Sequence, residues 1–370
     1  MRSLYPTENK TWVEVDRKAV ESNYKVFRRL VEPSAKIFAV VKSNAYGHGL
    51  LEFSGIVDEM ADGFCVDSVA EAVALRESGI KKTILVLGFS MPEEWESAYR
   101  SKTTISISNL TALKALREAK NIPDFHLKID TGMRRQGFYP DGMASVARLC
   151  SMDARLKRSL KGVFTHFSSA KDINYPTFSD NQLDSFMTSV RFLEAEGFNN
   201  LIRHVAATGG TMISPKYHLD AVRIGIGLYG LWPSKELEIQ LGDKIKLKPA
   251  LKWKAIVAEM KEAKMGDYVG YDLVERLTSD ASIAVIPVGY WHGIPRSLSG
   301  VGDVMIKGRK ARILGRVSMD MVVVDVTGIP VKFGDEVSVI YDAADAARRF
   351  GGSHYELVTR INPSIKRVIV

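Results

Sequence analysis

The chain has 370 residues, of which 46% are hydrophobic and 25% charged, the balance of a folded protein and not of a disordered one. Its net charge is +8, but the basic residues are scattered and their densest groups, Lys81-Lys82, Arg134-Arg135 and Arg348-Arg349, are only pairs, so nucleic acid is not an expected partner. No apolar run reaches the roughly 20 residues of a membrane span.

In chain order, Met1-Arg2-Ser3-Leu4-Tyr5-Pro6 lacks the apolar core of a secretory signal. The two cysteines, Cys65 and Cys150, belong to no metal-ligand spacing. No metal is expected, and the reading points to the cytoplasm, a reducing compartment. Trp12 to Asp16 reads as a strand that precedes the main body. From about residue 36 to 230, short apolar runs alternate with amphipathic stretches of helical period, such as Ser68 to Ser78 and Gln182 to Glu196. The runs end near Lys42, Asp67, Gly88, Ser108, Asp130, His166, Thr208 and Ile224, which makes eight. Eight strand–helix units predict a TIM-type (β/α)8 barrel.

Beyond Trp232-Pro233-Ser234 the helical period disappears. Strand-like runs follow one another at Lys252 to Met260, Ala281 to Pro287, Val304 to Lys307, Ala311 to Val317, Met321 to Val326 and Glu336 to Tyr341, separated by glycine turns. The expected fold class is therefore α/β plus all-β. A barrel occupies residues 1–240, and a mainly β-strand domain occupies 241–370, whose sheet the Trp12–Asp16 strand joins.

Catalytic groups of such barrels lie at the carboxyl ends of the strands. That rule selects Lys42, the run Asp130 to Arg135, His166, Thr208-Gly209-Gly210 and Arg223. A lysine ending an apolar run, Ile37 to Val41, is costly there unless it is paired or used, and burial favours the neutral amine that a Schiff base needs. Taken alone, Lys42 also reads as a solvated strand end, and His166 as a hydrogen-bonded core histidine. Together these residues make a basic mouth suited to an anion, a phosphate with a carboxylate. Gly225-Ile226-Gly227-Leu228-Tyr229-Gly230 matches G-x-G-x-x-G, but it closes the alternating region instead of opening a βαβ unit, which excludes a dinucleotide fold. Its glycines remain suited to a phosphate.

Six motifs in this order carry a resemblance that covers nearly the whole chain. They are Ala39 to Gly49 (AVVKSNAYGHG), Lys128 to Arg135 (KIDTGMRR), Thr165-His166-Phe167, Val222 to Gly230 (VRIGIGLYG), Val269-Gly270-Tyr271, and Gly315 to Asp320 (GRVSMD). The chain resembles the bacterial alanine racemases of the fold-type III pyridoxal 5′-phosphate family.

The resemblance implies racemisation of L- and D-alanine, supplying D-alanine for peptidoglycan, by a homodimer with shared active sites. Lys42 is implied to hold the cofactor. Tyr46, Tyr355, Thr208, Gly225 and Ile226 are implied phosphate ligands. Arg223 corresponds to the arginine on the pyridine nitrogen, where a guanidinium keeps that nitrogen unprotonated. Arg135 corresponds to a residue contacting the cofactor and the substrate carboxylate, and Lys128 to a lysine that is carbamylated in many members. Lys42 and Tyr271 are the implied bases for the two faces of the substrate. A tyrosine, ordinarily titrating near pH ~10, needs positive neighbours for this, implied to be His166 and Arg223. Tyr271 would come from the other subunit, with Met319 and Asp320; Tyr290 would narrow the substrate entrance.

The chain departs from the family pattern at Ala207, where an asparagine is usual, at Asp272, where a glycine is usual, and at Trp291-His292 beside Tyr290. Those changes motivate one rival, a racemase for serine or longer side chains. A non-catalytic cofactor-binding barrel would lack the β domain and Tyr271. A decarboxylase of this fold type would expect a cysteine in the β domain, where this chain has none.

Overall fold

A computed structural model describes residues 9–370; the Met1–Pro6 segment weighed above as a secretory leader lies outside the described residues. The chain groups into two units. One comprises Lys18–Ala45 and Phe53–Pro249, the other residues up to Arg17, Tyr46–Glu52 and Ala250–Val370. Strand β1 (Thr11–Val15) belongs to the second unit.

The first unit is the barrel. Its strands are β2 (Lys36–Val40), β3 (Gly63–Val66), β4 (Thr83–Val86), β5 (Ile105–Ile107), β6 (Phe125–Lys128), β7 (Leu160–Phe164), β8 (Ile202–His204) and β9 (Ala221–Ile224). All neighbours pair in parallel, in the orders β4-β3-β2-β9 and β5-β6-β7-β8. Single bridges, Leu85 to Thr104 and Ala207 to Arg223, join the two arcs into a ring of eight. Strands covered on both faces read as continuous apolar runs, and β3 and β9 are buried throughout. The helix predicted from Ser68 to Ser78 runs Val69–Glu77, with Ser68 Oγ accepting the Glu71 N–H at 3.2 Å as its N-cap. The one predicted from Gln182 begins earlier and runs Thr177–Ala195.

In the second unit a nine-stranded sheet holds β1 together with β10 (Leu251–Ile256), β11 (Glu259–Ala263), β14 (Ala281–Ile286), β15 (Asp303–Ile306), β16 (Arg309–Leu314), β17 (Val322–Asp325), β18 (Glu336–Ile340) and β19 (Lys366–Ile369). A separate hairpin pairs β12 (Tyr268–Val269) with β13 (Glu275–Arg276). β1 lies antiparallel to β10 and parallel to β19, with Val13 opposite both Trp253 and Arg367. The run read as one strand from Lys252 to Met260 is two, because its backbone changes partners in the middle. Val257 N–H bonds Asp335 O and Ala258 N–H bonds Val285 O. Two helices, Ala343–Phe350 and His354–Thr359, follow the last of the expected strands in this mainly β-strand domain. No helix among the described residues is long and apolar enough to cross a membrane.

Candidate active site

Lys42 follows the end of β2, where Val41 N–H still bonds Cys65 O of β3 at 2.8 Å. Its side chain is about one-third exposed, and the ammonium lies 3.6 Å from the Asp67 carboxylate. The next four residues turn left-handed: φ is 56° at Ser43, 56° at Asn44, 50° at Ala45 and 51° at Tyr46. None of them is glycine, so each pays for its Cβ against the following carbonyl. The turn is tied at both ends. Ala45 N–H bonds Val41 O at 2.8 Å, and the Glu71 carboxylate accepts the N–H groups of Asn44 at 3.1 Å and Asp67 at 2.9 Å.

On the neighbouring strand β9, where it pairs with Phe38 of β2, Arg223 is fully enclosed. Its guanidinium donates to the carbonyls of Thr165 at 2.8 Å, Val205 at 3.0 Å and His204 at 3.1 Å. Among the described residues it makes no ion pair, and burial pulls its pKa down to about 10. Arg223 also donates to His204 Nδ1 at 2.5 Å. A guanidinium only donates, so His204 carries its proton on Nε2 and donates that N–H to His126 Nδ1 at 2.9 Å. Both imidazoles are thereby neutral. Burial, then the charge of Arg223, drives the pKa of His126 down to about 3 and that of His204 well below the ordinary value. Gly162 in β7 makes room for this pair, since a Cβ there would sit 2.5 Å from the His126 ring.

His166 lies past the end of β7, with Nδ1 3.5 Å from the Arg223 guanidinium. Burial, followed by Arg223, Arg135, Lys128 and Lys42, lowers its pKa to about 3. Burial and these positive neighbours favour the neutral form of the His166 imidazole within this chain. Lys128 on β6 is buried, donates to Gln136 Oε1 at 2.9 Å, and is brought down to about 8 by burial, then by Arg135, Arg223 and Lys42. Asp130 organises the loop beside it by accepting the N–H groups of Gly132, Arg134 and Arg135 at 2.9–3.0 Å. Thr208 Oγ1 accepts the Gly225 N–H at 3.0 Å and lies 3.5 Å from the Gly227 nitrogen, and its hydroxyl hydrogen remains to donate. The barrel unit thus brings together Lys42, Lys128, Arg135, His166, Thr208, Arg223, Gly225 and Ile226.

In the second unit Tyr46 and Tyr355 face each other with ring centroids 6.2 Å apart. Burial, then Tyr46, raises the Tyr355 phenol above its ordinary pKa. Gly47 can only be glycine, with φ at 82° and the place of a Cβ 1.9 Å from Val358 O. Its carbonyl accepts two bonds from the buried Arg367, at 2.9 and 3.1 Å, and that guanidinium also donates to the carbonyls of Ile361, Asn362, Pro363 and Ile365.

Elsewhere in that unit, Tyr290 N–H bonds Ser318 O and Trp291 N–H bonds Met319 O, both at 3.0 Å. Tyr290 therefore lies beside Met319 and Asp320. Tyr271 is 65% exposed, and Leu273, Val274, Met319, Met321 and Trp291 are also exposed apolar side chains of these loops. Trp291 faces outward. His292 does not: it is buried and accepts the Gly289 N–H at 3.2 Å. Of the two unusual residues beside Tyr290, only the tryptophan is exposed.

Glu71 and the His126–His204 pair were not found by reading the sequence. Glu71 reaches Asn44, and His126 reaches His204, far along the chain, and no local pattern announces either.

A barrel with an amine after one strand, a buried guanidinium on the neighbouring strand that makes no ion pair among the described residues, and a threonine hydroxyl bonded to the Gly225 N–H has strand ends suited to an anionic ligand. Comparison with known proteins narrows this reading. Residues 15–233 match the family model "Alanine racemase, N-terminal domain", and residues 250–369 match "Alanine racemase, C-terminal domain". An alanine racemase of Leptospira interrogans is 34% identical over 97% of this chain and 96% of its own length. One of Desulforamulus reducens is 35% identical over 97% and 98%. The crystal structure of alanine racemase from D-cycloserine-producing Streptomyces lavendulae superposes with a TM-score of 0.89 at 33% identity, covering 98% of each chain. The alanine racemase of Clostridium difficile 630 gives 0.91 at 31%, covering 98% of this chain and 96% of its own. The chain belongs to the alanine racemase family, isomerases that depend on pyridoxal 5′-phosphate.

Proposed function

We propose that the protein is a pyridoxal 5′-phosphate-dependent racemase that interconverts L- and D-alanine as a homodimer, and that its cellular role is to supply D-alanine for peptidoglycan. The observation that carries the reading is the charge imbalance of the barrel unit. Lys42, Lys128, Arg135 and Arg223 all act on His166, with Asp67 and Asp130 the carboxylates nearby. Such a set fits a phosphate and a carboxylate. Lys42 is the amine that would hold the cofactor. Thr208, Gly225 and Ile226 from the barrel, with Tyr46 and Tyr355, would hold its phosphate, and Arg223 would donate to its ring nitrogen. When bound, the cofactor supplies an electron-withdrawing ring that stabilises negative charge at the substrate Cα.

Every remaining task falls to the chain. Arg135 binds the substrate carboxylate and fixes which bond is exposed. Lys128, neutral in part near pH 8, has the nucleophilic amine needed to take up carbon dioxide, losing a proton as the carbamate forms, and the resulting anion would orient Arg135. Inversion requires a proton group on each face of Cα. Lys42 serves the D side and Tyr271 of a second copy the L side, with Arg223 as the positive neighbour favouring the phenolate and His166 as a neutral hydrogen-bonding group. Met319, Asp320 and Tyr290 bound the substrate pocket. The exposed apolar loops that carry Tyr271, Trp291 and Met319 favour the dimer, because such surfaces are usually covered.

The test is a panel of L-amino acids assayed for D-product, beside Tyr271→Phe. Alanine should be the fastest substrate, and the variant should keep its visible cofactor absorbance while losing racemisation. The outward Trp291 favours one alternative, a racemase for serine or longer side chains. Serine or lysine turning over much faster than alanine would establish it, since small pockets exclude an added hydroxyl only weakly. Full activity in Tyr271→Phe would end the two-base reading.

A further inference from the structure

The residue after Tyr271 is an aspartate in a backbone conformation that favours glycine. φ is 79° at Gly270, 63° at Asp272 and 53° at Leu273. Aspartate enters the left-handed region more easily than most side chains, whereas leucine does so only under constraint. The stem of this hairpin is well anchored. Val269 and Leu277 are buried with Leu314 in one apolar cluster, and Glu275 pairs with Arg312 at 2.7 Å. The tip is not. Tyr271, Leu273 and Val274 are exposed, and among the described residues one side-chain ion pair holds the tip, Asp272 to Arg316 Nε at 2.5 Å, a charge contact whose N–H is not aligned as a hydrogen bond. Arg316 begins the loop that carries Met319 and Asp320. The pair therefore ties the turn bearing Tyr271 to the segment expected to bound the substrate.

From this geometry we infer that Asp272 and Arg316 are a positioning pair for Tyr271, fixing the strained turn so that the phenol is presented in one orientation. The inference rests on Tyr271 being the base for the L face. The ion pair is partly exposed, with side chains 57% and 37% accessible, so its value lies in orientation and not in global stability. A misplacement of a reacting group by about 1 Å costs up to ~100-fold in rate, so a weak tether can matter greatly to turnover.

Asp272→Asn separates the charge from the backbone, because asparagine tolerates the same left-handed conformation. In the cofactor-loaded enzyme, Asp272→Asn and Arg316→Gln should each lower kcat about tenfold, and the double variant should lose no more than either single change, the mark of one shared interaction. The alanine KM and the unfolding midpoint should stay close to wild type. The isotope effect with Cα-deuterated L-alanine should grow, while that with Cα-deuterated D-alanine changes less, an asymmetry that general loosening of the fold would not produce. Wild-type kcat in Asp272→Asn, or additive losses in the double variant, overturns the pairing. Tyr271→Phe run alongside separates the two ideas. If it is inactive while Asp272→Asn is unimpaired, only the pairing fails; if it is fully active, the base assignment fails as well.

Discussion

Replacing Glu71 by alanine tests whether the left-handed turn after Lys42 is built for the site. Four non-glycine residues there each carry a cost of about 1–2 kcal/mol, so the turn persists only because its neighbours hold it. Glu71 supplies two of the restraints, to the N–H groups of Asn44 and Asp67. The Asn44 bond is half-buried and made to a charged acceptor, worth about 1.5–3 kcal/mol. The Asp67 N–H is at the surface, where water replaces the lost oxygen at little cost. Glu71→Ala should thus lose about 2 kcal/mol in urea unfolding followed by tryptophan fluorescence. Because the strain can relax locally, a comparable effect should fall on cofactor affinity, weakened by about 10- to 30-fold in a visible-absorbance titration. Glu71→Gln keeps one oxygen for Asn44 and should sit between. Wild-type stability and affinity in Glu71→Ala would refute the claim that this carboxylate holds the turn.

Two expectations concern pH. Lys128 is held at about 8 against an ordinary 10.5, so the unfolded chain binds the extra proton between those values. The resulting penalty, about 3 kcal/mol, is full below pH 8 and fades as pH rises to 10.5; in bicarbonate-free buffer Lys128→Met should be more stable than wild type at pH 7, and equal stability there would contradict the assignment. His126 and His166 are held at about 3 and His204 also well below 6.5, so stability is present above pH 6.5 and lost as pH falls toward 3. Each contributes a slope of about 1.4 kcal/mol per pH unit, and a urea midpoint that stays constant from pH 6 to 5 would show that these imidazoles are not buried neutral.

The barrel was legible because its strands are covered on both faces. That produces short unbroken apolar runs whose ends, at Lys42, Asp130, His166 and Thr208, fall within four residues of observed strand ends. The distal domain was less legible for the opposite reason. Its strands are half exposed, β11 is polar nearly throughout, and β19 gains its place only by pairing with β1 from the other end of the chain. The helices at Ala343–Phe350 and His354–Thr359 follow the last expected strand and are marked by their caps, Asp342 and Ser353, rather than by apolar periodicity.

The site divides along the same line. Residues found by position, such as Lys42 and Arg223, stand at strand ends where local sequence announces them. Those that determine how the found residues behave lie elsewhere: Glu71 beneath the Lys42 turn, His204 and His126 behind Arg223, Arg367 under Tyr46. A buried guanidinium without a carboxylate is stable only if carbonyls and a neutral imidazole take its protons, and such a cage is assembled from β7, β8 and the segments after them. The same cage keeps His204 from becoming a second cation beside Arg223. Any substitution that let that imidazole charge would place two positive groups 2.5 Å apart, so the histidine pair limits how much charge the strand ends carry before any ligand arrives.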